Sequence, residues 1–319
     1  MGESRMRFFV DETSFELPGQ TDAEALEQGI ETFIALVKAC RAKNEDIFRW
    51  PGLFEVEVVP GIPLHRLLYE TIDALPIDKI TLRSAQVALL RCVDWEDRVK
   101  PVPDPNVEIT LAACVAPSAA VARTHVASGK GAACLCLGLR ADRSGTLTVR
   151  AGTEANEVHF MTRASALPTF YRSLFEVEDL DANAYMANTT HAFPDIVFAE
   201  GLAGQFGRFE WVYREARPMV TKHLSVLNDH FQRVHKEAKH KTDAVIGEYG
   251  IDASLERGTT HKNKKAMKQR EVVVDGETIV CEWHTKLARH TGRIHFHPGE
   301  DGVLGGRLVV GLFAGHLEL

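Results

Sequence analysis

"EVVVDGETIVCEWHTKLARHTGRIHFH", residues 271–297, decides how the C-terminal part of the chain is built. Two β-branched runs, 271–274 and 277–284, flank Asp275-Gly276. Both central residues of a type I′ turn need positive φ, so Asp-Gly between such runs predicts a β-hairpin. "RIHFH" (293–297) reads as a third strand and "RLVVGLF" (307–313), after the glycine-rich "PGEDGVLGG", as a fourth. Successive side chains of a strand point to opposite faces. Ile294 and Phe296 then belong to a core, and Arg293, His295 and His297 share the other face. His284 and Lys286 end the neighbouring strand, Trp283 has core parity, and His316 follows the last strand. The expectation is a sheet with one cationic, histidine-bearing face.

Upstream, Pro218 suits the first turn of a helix. Val220, Leu224, Leu227, Phe231 and Val234 follow in steps of four and three, one apolar stripe running to near Thr242. Segment 247–270 is polar and glycine-punctuated, with a short helix near 262–269. Residues 211–319 therefore read as a helix-helix plus four-stranded antiparallel meander domain. Residues 1–210 read as a mixed α/β domain, and the fold class as α+β. In it, "MRFFV" (6–10) is a first strand. Thr21 caps a helix to about Lys43 in a capping box with Glu24, and Asp78 caps another to near Trp95. Strands are expected at 53–61, 106–116, 132–140, 147–151 and 157–161, with a short helix from Ser118. "ASGKG" (127–131) lacks Walker spacing and reads as a turn.

The length of 319 residues allows two domains. A net charge of −7 argues against a generally basic nucleic-acid binder. From Arg257 to His297, however, nine Lys or Arg stand against four acids, a local excess of five positive charges that leaves −12 for the rest. Such a basic end suits contact with a polyanion, or else a solvated linker. Of the six cysteines none has CxxC spacing. Cys134 and Cys136 share one face of an apolar strand and read as small buried hydrophobes. No signal peptide and no membrane-length apolar run is found, so a cytoplasmic protein without disulfides is expected.

Three functions fit the face formed around 284–297. The first is binding and cleavage of RNA or another nucleic acid by metal-independent acid–base chemistry, with His284, Lys286, Arg293, His295 and His316 as the catalytic set. His295 is its acid–base candidate. A base, an acid and cations for the charged phosphorane are what attack by the ribose 2′-OH requires. Lys262, Lys264, Lys265, Lys268, Arg270 and Arg289 would hold the nucleic-acid backbone. The second is a non-catalytic subunit that binds nucleic acid or protein. The third is a metalloenzyme using His295 and His297, with His284, His290 or His316 as a further ligand. An exposed polar sheet face without chemistry also accounts for any one of these histidines.

Order and residue type resemble the RelE/ParE superfamily of small bacterial toxins, which includes the HigB-type mRNA interferases. The matching stretches are "RIHFH", with an arginine ahead of alternating apolar residues, and "RLVVGLFAGH", a last strand ending in histidine. The resemblance covers about 100 residues from the helix near 217 onward. It implies a RelE-like domain that cuts RNA without a cofactor, with Arg293 stabilising phosphate. His316 would be the terminal catalytic or phosphate-binding residue, and Lys286 a basic residue ahead of the core strand. It also implies a bacterial toxin-antitoxin or phage-defence role. Residues 1–210 would then be a sensor, an inhibitor or a docking domain for a protein partner.

Overall fold

β1 (Phe8–Val10) has no solvent-exposed side chain. Apolar runs of this kind are what a parallel strand covered on both faces requires. The computed structural model describes residues 6–17, 22–73, 75–95, 108–109, 118–127, 131–289, 291–299, 302–315 and 317. They form two units, Met1–Glu178 and Asp179–Leu319. The division lies upstream of the 210/211 boundary expected from the sequence. Residues 179–210 belong with the second unit because their strand and short helices complete its sheet and core.

The first unit contains β2 (Ile47–Arg49), β3 (Glu57–Val59), β4 (Ile62–Pro63), β5 (Val93–Asp94), β6 (Glu108–Ile109), β7 (Ala133–Leu135), β8 (Gly145–Ala151) and β9 (Glu154–Met161). β3 and β4 form a separate ladder. The other seven strands make one mixed sheet, ordered β5-β2-β1-β7-β9-β8-β6. It is parallel from β5 to β9 and antiparallel where β8 and β6 join. Cys134 and Cys136 pack in one apolar cluster with Val121, Val149 and Phe160. Burial pushes both thiols well up. Just beyond β1, the carboxylate of Asp11 meets Arg143 Nε at 2.9 Å, and both side chains are wholly buried. Hydroxyls of Thr13 and Ser118 also donate to Asp11. A buried charge persists only with this degree of pairing.

Several local expectations shift. The first long helix, Ala23–Ala42, is capped by Asp22, whose side chain accepts from Ala25 N; Thr21 lies outside the described residues. Asp78 caps Lys79–Leu90 as expected. The stretch at 53–61 begins as a 3-10 turn, Pro51–Glu55, because Pro51 favours a helical start. Most of 106–116 and residues 128–130 fall outside the described residues.

The second unit contains β10 (Ile196–Phe198), β11 (Asp252–Leu255), β12 (Glu271–Val274), β13 (Glu277–Val280), β14 (Trp283–Lys286), β15 (Arg293–His297) and β16 (Leu308–Ala314). Its main sheet has five strands, β10-β16-β15-β14-β11, with β10 parallel to β16 and the remaining pairs antiparallel. The four-stranded meander expected from the sequence is therefore corrected. β12 and β13 do form the hairpin, with positive φ at Asp275 (51°) and Gly276 (82°). They stand outside the main sheet, because the run at 277–284 breaks at Cys281–Glu282, where Cys281 N turns back to bond Arg270 O at 2.9 Å. β10 and β11 take the places left in the sheet.

One face of this sheet packs on a helix running from Tyr213 through a π-turn at Leu227–Phe231 to Ala238. Pro218 lies inside that helix, which starts five residues earlier than its position suggested. The Phe231 ring meets Trp283 at 5.3 Å and Phe296 at 4.8 Å between centroids. His223 Nδ1 lies 2.6 Å from Thr285 Oγ1 on the same side. The opposite face is overlaid by the excursion 256–282, whose hairpin packs Val274 and Ile279 on Val309. The approach is tight at Gly311, where a Cβ would overlap Cys281 Sγ and Val272. No helix among the described residues is long and apolar enough to cross a membrane.

Burial, and then the Lys222 charge, lower His223 from 6.5 to about 4. Between these values the unfolded chain binds the extra proton. The neutral buried imidazole thus contributes fully above the unfolded value and loses its contribution as pH falls toward the folded one. His223→Gln removes the titration, so between pH 7 and pH 5 the wild type should lose about 2 kcal/mol more than the variant. Urea unfolding at the two pH values, followed by tryptophan fluorescence, measures the difference; parallel pH profiles would refute it.

Candidate functional site

The register of β14 on β15 sets His284 opposite His295 and Lys286 opposite Arg293. β11 adds Ser254 opposite His284 and Asp252 opposite Lys286. Directly opposed residues of an antiparallel pair hold their Cβ atoms about 5 Å apart. Three short strands thereby gather six polar side chains on one face, the face turned away from the long helix. The chain then leaves β11 at Glu256, whose N–H bonds Glu282 O at 2.9 Å. That bond turns the carboxylate inward over the histidines.

Glu256 Oε1 is the hub. Arg270 Nε donates to it at 2.8 Å. His284 Nδ1 lies 3.3 Å from the same oxygen and His295 Nδ1 3.8 Å. The imidazole rings of His284 and His295 are 5.4 Å apart between centroids. Arg270 also donates to Ala266 O at 2.7 Å, which anchors it to the short helix Lys264–Lys268. Burial by itself would raise the Glu256 carboxyl. The proximity of His284 and the hydrogen bond from Arg270 outweigh it and hold the group at about 2. Burial, then the neighbouring His284, push His295 down to about 3, so its imidazole is neutral at physiological pH.

A cavity of about 400 Å³ opens on this cluster, walled by Glu256, Arg257, Arg270, His284, Lys286 and Arg293. Lys286 Nζ bridges to Asp252 at 2.9 Å near the rim. Arg293 reaches Gly315 O at 3.4 Å. His284 Nε2 is 3.5 Å from Ser254 Oγ. Carboxylate, imidazole and guanidinium thus converge on one partly enclosed space, where low dielectric strengthens their fields.

Of the residues singled out from sequence, the structure brings together His284, Lys286, Arg293 and His295. His295 is wholly buried behind His284 and does not border the cavity, which is incompatible with direct proton exchange with a substrate there. His297 is not part of the cluster. Its Nδ1 accepts from Gly299 N at 3.1 Å, and it borders a different space with His235 and Trp283. The strand ends at His297, whose ring is held by the turn at Gly299, so the His295–His297 pair is not the cluster that gathers on Glu256. His290 and His316 lie outside the described residues. Lys262, Lys264, Lys265 and Lys268 are exposed on two short helices, Gly258–Lys262 and Lys264–Lys268, and Arg289 is exposed after β14. Arg270 differs: it is 2% exposed and paired to Glu256, so it cannot serve as a solvent-facing backbone contact.

Glu256 and Ser254 were not anticipated. The signal for them is faint alternation in "DASLE", where Asp252, Ser254 and Glu256 share one parity and Ala253 and Leu255 the other. Removing one partner of a buried charge pair strands the other. Glu256→Gln should cost about 3–5 kcal/mol, whereas Lys286→Ala, at a half-exposed pair, should cost less than about 1 kcal/mol. Denaturant unfolding of the two variants tests this, and equal losses would contradict the assignment of Glu256 as the structural hub.

No family model, no curated protein and no solved structure matches the chain.

Proposed function

We propose that the second unit binds nucleic acid, RNA foremost, across the cavity of Arg257, Lys286 and Arg293, and cleaves its phosphodiester backbone by acid–base chemistry. The observation that carries this reading is the convergence of these three cations with the Glu256–His284 pair on one cavity. The exposed lysines of Gly258–Lys262 and Lys264–Lys268 extend the positive charge beyond it. Polyanions are held largely through such contacts.

In this reading His284 borders the substrate and takes the proton of the ribose 2′-OH. Glu256 orients its ring and stabilises the imidazolium that forms, as a carboxylate does behind a catalytic histidine. The freed oxygen attacks phosphorus, and Arg293 and Arg257 stabilise the added negative charge. The departing 5′-oxygen takes a proton from Lys286, whose ammonium Asp252 positions. His295 acts as a positioning residue beneath His284. This division of roles is compatible with the resemblance to RelE-like toxins, and with a toxin or defence role in a bacterial cell.

Binding of the full chain to labelled single-stranded RNA should weaken steeply with salt. Neutralising Lys262, Lys264 and Lys265 together should flatten the log–log salt slope by about 2. Arg293→Ala and His284→Ala should abolish cleavage and relieve any growth arrest on expression. Tight binding without cleavage would favour a non-catalytic nucleic-acid-binding subunit. Absence of salt-dependent binding to both RNA and DNA would overturn the polyanion reading altogether.

A further inference from the structure

The cluster at the floor of the cavity also has the spacing of a metal site. Glu256, His284 and His295 each offer one ligand atom, and the three atoms lie within 4.8 Å of one another. Two of the separations, 3.3 and 3.8 Å, start from the same carboxylate oxygen. A tetrahedral zinc ion with bonds near 2.0–2.1 Å spaces its ligand atoms about 3.3 Å apart. Modest closure of the three side chains reaches that geometry.

A second observation is independent of spacing. Both ring nitrogens of His295, and Nδ1 of His284, are buried without a hydrogen-bond partner among the described residues. Buried polar atoms in folded proteins are nearly always satisfied, and exceptions call for an explanation. An ion between the rings would satisfy one nitrogen of each. The surroundings also supply the outer contacts that metal ligands use. Arg270 Nε fixes the carboxylate, and Ser254 Oγ stands beside His284 Nε2, leaving Nδ1 to face Glu256.

We propose that Glu256, His284 and His295 bind a divalent transition-metal ion of the zinc class, with a fourth position open to the cavity beside Arg293. Two imidazoles and one carboxylate suit zinc, cobalt or manganese better than magnesium or calcium, which favour all-oxygen shells. Three protein ligands and one open position are the arrangement of catalytic rather than structural zinc. Water, or an oxygen of a bound phosphate, would complete the shell. The site shares the cavity with the function proposed above but does not rest on it. With the ion bound, His284 would be a ligand and no longer a proton carrier, and the ion would supply an acidified water as nucleophile or base.

The test uses the full chain, stripped with a chelator and then incubated with Zn²⁺, Co²⁺ or Mg²⁺ and desalted. Mass-spectrometric metal analysis should find one zinc or cobalt per chain and no retained magnesium. Cobalt should give the intense visible absorption of a tetrahedral site, a readout that needs no variant. His284→Ala and His295→Ala each remove a direct ligand and should weaken zinc affinity by more than the roughly 10–100-fold that loss of an outer-shell partner costs, and His297→Ala should leave it unchanged. Failure to retain zinc or cobalt would overturn the site. So would retention that survives His284→Ala, which would indicate adventitious binding by other histidines. Salt-sensitive RNA binding by a chain that takes up no ion would leave the nucleic-acid reading standing alone. Ion uptake by a chain that ignores RNA would do the reverse.

Discussion

The pair formed by Glu256 and Arg270 is the contact on which the second unit's polar face depends. It joins the end of β11 to the start of the β12–β13 hairpin, and it is buried on both sides, at 5% and 2% side-chain exposure. Between these residues run two short basic helices, and beyond them the hairpin lies across the sheet. The pair therefore pins a 256–282 excursion over strands that would otherwise be open to solvent. Desolvating two charges is expensive, and the geometry repays it only because Arg270 also reaches Ala266 O and Glu256 also meets two imidazoles.

That closure changes the chemistry of the histidines beneath it. An imidazole on an open sheet face would titrate near its ordinary value and rest in water. His295 is instead held neutral by burial, and His284 sits at the boundary between the buried cluster and the cavity. The excursion converts a row of polar side chains into a layered site. His295 lies behind, Glu256 and His284 form the floor, and Arg257, Lys286 and Arg293 form the walls. The proton-transfer and metal proposals both draw on this layering, since each needs an oriented imidazole beside a carboxylate.

The first unit uses the same physical device for another purpose. Asp11 and Arg143 are paired and wholly buried, with Thr13 and Ser118 completing the carboxylate's hydrogen bonds. Unlike the cluster around Glu256, this knot has no unpartnered side-chain nitrogen or oxygen among the residues that form it. A fully satisfied network rigidifies a core, whereas one with open valences leaves room for a ligand. In the second unit the unpartnered imidazole nitrogens stand together beside a carboxylate and next to a cavity, which the Asp11 knot does not.

Much of the second unit was legible from local rules. Asp275-Gly276 specified its turn because few residues tolerate positive φ at both positions. Strand parity placed Ile294 and Phe296 against the long helix and Arg293 and His295 on the other face, because the β period is two whatever the neighbours are. Parity could not show that the hairpin would leave the sheet at Cys281, since strand continuity depends on which edges are available to pair. It could not show that Arg270 would be buried either, since a basic residue among lysines looks solvated until a carboxylate from another strand reaches it. The amino-acid sequence by itself determined which side chains share a face. Only the tertiary structure decided that Glu256 would close over them, because that contact arises from the path of an excursion and not from the periodicity of any strand.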